Sequence, residues 1–117
     1  MRNEIILQKI HRYAVKLMEY CEGYTYESFI ADMKLVEACV FNLGQLGELC
    51  RIVDDSFAKA HPEIPWREMY GLRNRIVHDY EGVNLRLVWE ILCEDIPELR
   101  KRTEPPFRSV PENRDSP

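Results

Sequence analysis

Between residues 3 and 22, the apolar positions Ile6, Ile10, Tyr13, Leu17 and Tyr20 recur at a 4-3-4-3 spacing. That period lays them along one stripe of an α-helix. Asn3 is the expected N-cap, with the charged Glu4 behind it at the positive helix end. Gly23, in the run Cys21-Glu22-Gly23-Tyr24, is the expected left-handed residue at the helix's end. Thr25, followed by Glu27 and Ser28, predicts the cap of a short helical turn through Phe29. Residues 32–53 carry two adjacent stripes: Leu35, Cys39, Asn42, Leu46, Leu49 and Val53, and beside them Val36, Val40, Leu43, Gly47 and Cys50. So wide an apolar face predicts a central helix with more than one neighbour. Gly44 and Gly47 would each cost ~1 kcal/mol relative to alanine in a helix. Close approach of a neighbouring helix would explain them, and so would mere tolerance.

The next stretch, DDSFAKAHPEIPW, predicts a connector, since Pro62 and Pro65 stop any long helix. Pro65 is suited to the first turn of the following helix, expected from Trp66 to His78 or Tyr80. Asn84 is the expected cap of a last helix with Leu85, Val88, Trp89, Leu92, Ile96 and Leu99 on its face. Pro97 predicts a kink there or the start of a fresh turn. From Thr103 onward the chain is rich in proline and charge and shows no period, which predicts a mobile tail over 103–117 after a helical domain over 1–102. No repeat and no strand pattern is visible. Four main helices with short connections predict an all-α bundle.

The length, 117 residues, suits one modest core. With 20 acidic and 16 basic residues the net charge is −4, which argues against a protein that coats long nucleic acid. A local cationic cleft remains open. Cys21, Cys39, Cys50 and Cys93 form no C-x-x-C pair and lie in or beside apolar helical patterns, as free buried thiols do. The N-terminal apolar run is too short for a signal peptide, and no stretch approaches the ~18 apolar residues of a membrane span. The expected location is the cytoplasm.

One stretch departs from packing logic. LRNRIVHDY, residues 72–80, crowds Arg73, Asn74, Arg75, His78, Asp79 and Tyr80 around Ile76 and Val77, just before the turn signal EGVN. At 100° per residue, Met69, Leu72 and Ile76 form the core stripe. Asn74 and His78 are i, i+4 neighbours roughly opposite it. Arg75 and Asp79 are expected to pair on the solvent side. Arg73 and His78 stand roughly 140° apart, so a changed last turn or a second subunit is needed to bring them together. An imidazole exchanges protons near neutral pH. A guanidinium grips phosphate and stabilises charge developing on it, and an amide orients a ligand. These are the parts for metal-free RNA cleavage, in which a base activates the ribose 2′-hydroxyl against the adjacent phosphorus. A surface or interface hydrogen-bond cluster is the competing reading. His11 and His61 are read as a surface and a loop histidine. With no second His or Cys at ligand spacing, neither a metal site nor a cofactor is expected.

RNRIVHDY resembles the R-x4-H-x-Y signature of the HEPN superfamily in its HepT-like branch, with Arg73, His78 and Tyr80 at the named positions and Asn74 after the arginine. FNLGQLGELCRIV is similar to that family's central helix, with Gly47 and Glu48 as its G-E pair. The segment from His61 to Leu99 resembles the approach through Pro65-Trp66 and the closing D-x-P-x-L helix. The resemblance covers roughly residues 1–102 and implies a HEPN-like bundle of four to five helices that forms a homodimer, with the motif helices lining a shared cleft. It implies a ribonuclease toxin of a toxin–antitoxin pair, whose antitoxin is a minimal nucleotidyltransferase. It further implies that Arg73 and His78 are catalytic, that Asn74 supports them, and that Tyr80 accepts AMP groups from the antitoxin. A bulky anionic adduct there would block the cleft. The alternative is a non-catalytic interaction or nucleotide-binding module that docks a nucleotidyltransferase and presents Tyr80 to it.

Overall fold

The computed structural model describes residues 2–77 and 84–104, the side chains of Arg73, Asn74 and Val77 excepted, and among these residues every regular element is helical. Helix α1 spans Arg2–Cys21 and buries Ile6, Leu7, Ile10, Ala14 and Leu17. It ends as expected: Gly23 has φ 84°, the left-handed conformation a side chain would oppose. Helix α2, Tyr26–Ile30, is held by a capping box between Thr25 and Ser28. The central α3, Met33–Arg51, starts where the Asp32 carboxylate accepts from the Leu35 N–H at 3.1 Å. Both of its expected stripes contribute buried residues, from Val36 and Cys39 through Leu43, Leu46 and Gly47 to Cys50.

The start of α1 differs from expectation. Asn3 lies inside the helix, not at its cap. Its side-chain amide donates to the Asp54 carboxylate and its oxygen accepts from the Asp54 N–H, both at 3.0 Å. Asn3 therefore ties α1 to the end of the α3 connection, helped by an Arg2–Asp54 ion pair of 3.5 Å. The connector also holds a short helix, α4, Asp55–Ala60. Behind it Ile64 is buried, and Phe57 packs on His61 and Trp66 with ring centroids 4.5 and 6.3 Å away.

The next helix comes in two pieces, α5 (Trp66–Tyr70) and α6 (Leu72–Val77), broken at Gly71. Pro65 serves as the residue before α5 and not as its first helical residue. Asn84 caps α7, Leu85–Glu90, by accepting from the Leu87 N–H at 3.1 Å. Then the register changes. Ile91–Asp95 is a π-helical segment, and α8, Ile96–Arg102, follows it with Pro97 in its first turn. Proline has no N–H and its ring crowds the carbonyl four residues back. The wider π turn before it is a place where that mismatch is absorbed, so Pro97 changes the register where a sharp kink was one expectation. Thr103, expected at the start of the tail, is fully buried, its hydroxyl donating to the Leu99 carbonyl at 2.8 Å. Residues 105–117 lie outside the described residues.

In the bundle α3 packs on α1, on α5 and on α6, while α8 packs on α1. Among the described residues no helix is long and apolar enough to cross a membrane.

Candidate functional site

The motif helix is seated by glycine. A Cβ on Gly47 would stand 2.8 Å from the Met69 carbonyl oxygen, closer than real side chains come to backbone. Gly47 thus lets α5 lie directly on α3, which is the close approach the sequence allowed for. Gly44 meets nothing within 4 Å, so packing within the chain makes no demand on it. The core stripe of the motif helix is as expected: Met69, Leu72 and Ile76 are all buried. With 72 and 76 turned inward, the register of α6 puts position 74 on the far side of the helix.

Arg73 and Asn74 belong to α6, and the structure describes their backbone. His78, Asp79 and Tyr80 lie outside the described residues, as does the expected Arg75–Asp79 pair; Arg75 itself is exposed. The Asn84 N–H donates to the Ile76 carbonyl at 3.3 Å, so the end of α6 and the cap of α7 meet. Helix α7 is itself anchored. Trp89 packs on Phe29 with ring centroids 4.9 Å apart, and the Arg86 guanidinium lies 3.8 Å from the Tyr26 ring. The end of α6 and the start of α7 therefore meet at one place, and α7 is held there by its packing on α2.

Beside that place, at Leu85, lies an apolar face outside the core stripes of α3. Phe41 and Met33 on it are 65% and 55% exposed, and Tyr70 on α5 is 52% exposed. A groove of about 530 Å³ runs between Met33, Val36, Glu37, Val40, Phe41 and Leu85. Its signal was in the sequence: Met33, Phe41 and Gly44 fall outside both core stripes of α3, yet they share a side of it. Glu48, next to the seating glycine, pairs with Arg51 through the arginine Nε at 2.9 Å. That carboxylate raises the arginine's pKa further and keeps it a cation.

His11 is not the plain surface histidine expected. Its Nδ1 lies 3.0 Å from the Thr103 hydroxyl, linking α1 to the end of α8. Burial and the nearby Arg100 lower its pKa. His61 sits at the end of α4, its Nδ1 3.4 Å from Glu63 and its carbonyl accepting from the Trp66 indole at 3.0 Å. All four cysteines are free, but Cys93 is exposed where burial was expected.

The comparisons decide the family. A family model described as "Ribonuclease HepT-like" matches residues 10–105. The chain belongs to the HepT-like ribonuclease family. It is 37% identical over 92 residues to "Probable ribonuclease HepT" of Thermococcus cleftensis, covering 78% of this chain and 84% of that one. It is 36% identical over 88 residues to "Putative RNase TTE0752" of Caldanaerobacter subterraneus subsp. tengcongensis, covering 75% and 79%. No solved structure matches. The HepT-like family is one of helical HEPN ribonucleases, which agrees with the all-helical bundle described above.

Proposed function

We propose that this HepT-like chain is a metal-independent endoribonuclease, the toxin of a toxin–antitoxin pair, acting as a homodimer. The observation that carries this reading is that the family match spans residues 10–105 and so takes in the whole stretch from Arg73 to Tyr80. In the proposed reaction one His78 takes the proton of a ribose 2′-hydroxyl. The freed oxygen attacks the adjacent phosphorus, and the bond to the 5′-oxygen breaks. The His78 of the second subunit returns a proton to that leaving oxygen, so the products carry a 2′,3′-cyclic phosphate and a 5′-hydroxyl. Arg73 holds the non-bridging oxygens as charge builds on them, and Asn74 orients the strand. The need for a 2′-hydroxyl confines the route to RNA. A dimer is what gives one gene an acid and a base. The exposed Met33 and Phe41, on a groove that reaches Leu85, support it.

The partner proposed is a minimal nucleotidyltransferase antitoxin that transfers AMP to Tyr80 and so silences the cleft by charge and volume. The net charge of −4 favours a second reading, a non-catalytic module that only docks such an enzyme. Incubation of the purified chain with total RNA in EDTA, followed by mapping of the cut ends, separates the two. Cyclic phosphates produced by the parent and lost in His78→Ala are expected. Cleavage by the variant at the parental rate overturns the assignment of His78, and intact RNA with the parent overturns the nuclease.

A further inference from the structure

Where the end of α1, the middle of α3 and the π segment converge, the chain brings thiols together. The Sγ atoms of Cys21 and Cys39 are 3.7 Å apart. Cys21 is the last residue of α1 and half-buried, whereas Cys39 is fully buried in α3. Cys93, exposed on the π segment, is close enough to Cys21 for a charge there to raise its own pKa. Nothing in the proposed nuclease mechanism uses these groups. We propose that Cys21 and Cys39 are a redox modification site, converted by peroxide-class oxidants to an intramolecular disulfide.

Geometry carries the pairing. A disulfide needs sulfurs ~2.04 Å apart, so closure asks for movement of under about 2 Å. Cys21 is placed to supply it, because only the turn through Gly23 follows it. The two thiols also divide the work. Their hydrogen bond lowers the pKa of Cys21, while the same bond together with burial raises that of Cys39. With Cys39 as the donor of the pair, Cys21 is the sulfur that becomes thiolate, which is the nucleophilic form. Its position on the surface side lets oxidant reach it first. The Cys21 thiolate attacks a peroxide oxygen, the O–O bond breaks, and hydroxide leaves a sulfenic acid on Cys21. The Cys39 sulfur then attacks the Cys21 sulfur. The S–O bond breaks, the Cys39 proton leaves with that oxygen as water, and a disulfide remains. One peroxide is reduced to two waters and two thiols are oxidised. The new bond ties α1 to α3 around the loop that holds α2.

The test is titration of the reduced full-length chain with hydrogen peroxide, alkylation in denaturant, and peptide mapping by mass. The expected result is a loss of 2 Da, two of the four thiols protected, and a linked pair of peptides containing Cys21 and Cys39. Cys93→Ser should form the same link at the same peroxide dose. Cys39→Ser should instead stop at a sulfenic acid on Cys21 that dimedone traps. A link from Cys21 to Cys93, oxidation centred on Cys93, or four alkylatable thiols at a dose that oxidises free glutathione would each overturn the proposal. The oxidised parent should also melt at a higher temperature than the reduced one, since the crosslink restricts the unfolded chain.

Discussion

Gly47 shows how one hydrogen atom positions the motif helix. Its missing Cβ is what admits the Met69 carbonyl, and that neighbour is backbone, which has little freedom to give way. Gly47→Ala should therefore destabilise the fold by about 1–3 kcal/mol despite alanine's better helix propensity. Gly44→Ala, with open space around it, should be neutral or stabilising in the monomer. Urea denaturation of the two variants side by side checks this, and equal midpoints would refute the seating role. His11 is a second single-residue device. Burial and Arg100 depress its folded pKa below the unfolded value, so the folded state prefers the neutral ring. Its contribution to stability is then present above the unfolded pKa of ~6.5 and is lost as pH falls through the folded value. The parent should lose more stability than His11→Gln between pH 7.5 and 5, by denaturation at each pH. Parallel curves for the two proteins would show that this histidine carries no such linkage. Tyr80→Phe should keep the fold but gain no AMP mass after incubation with the nucleotidyltransferase and ATP. Equal labelling of parent and variant would remove Tyr80 from the proposed regulation.

At the scale of elements, α3 is the piece on which the others depend. Leu46 is fully buried between the flanking helices, so Leu46→Ala should cost about 2–5 kcal/mol, read from the shift in denaturation midpoint. Arg73→Ala and His78→Ala, assigned to cleavage and not to the core, should leave that midpoint near the parent's while cleavage falls by about 10²-fold or more. A large loss of stability in either would mean that the group is structural. The long helices were legible because their apolar positions repeat over several turns, and the caps at Thr25 and Asn84 because capping is local. Helix α4 was missed because DSFAKA is too short to show a period and two prolines follow it. The π segment was missed for a different reason: the apolar spacing around Pro97 fits an α stripe until the proline's missing N–H forces another register. Asn3 has the right chemistry for a cap, but its partner Asp54 is 51 residues away, and no local rule anticipates that. The candidate site was legible as residue types in R-x4-H-x-Y order. The apolar face beside it was harder to see, because Met33 and Phe41 lie outside the core stripes of α3 and belong to a surface.

For the whole molecule, the question is what covers that surface. With Met33 and Phe41 each more than half exposed along one groove, the chain carries an apolar patch that monomers seldom leave contiguous. The groove reaches Leu85, next to the Asn84 that meets Ile76, so whatever covers it lies beside the junction of α6 and α7. A second copy of the chain fits the proposed chemistry, because each cleft then holds two histidines and two arginines, and two-fold contacts place them symmetrically. Open space over Gly44 on the same side of α3 would let a partner helix come close. Phe41→Arg tests this directly. The ring is 65% exposed in the monomer, so its loss should shift the denaturation midpoint of the isolated chain little. In a dimer the same change replaces a buried aromatic anchor by a charge facing its own copy. A cost of about 2–4 kcal/mol is expected, or roughly 30- to 1,000-fold in dissociation constant. Sedimentation at micromolar concentration should show the parent as a dimer and the variant as a folded monomer. RNA cleavage should fall with dimerisation even though Arg73 and His78 are untouched. A variant that stays dimeric would move the interface elsewhere. A variant that is monomeric yet cleaves at the parental rate would show that one subunit supplies both acid and base, and the shared cleft would have to be abandoned.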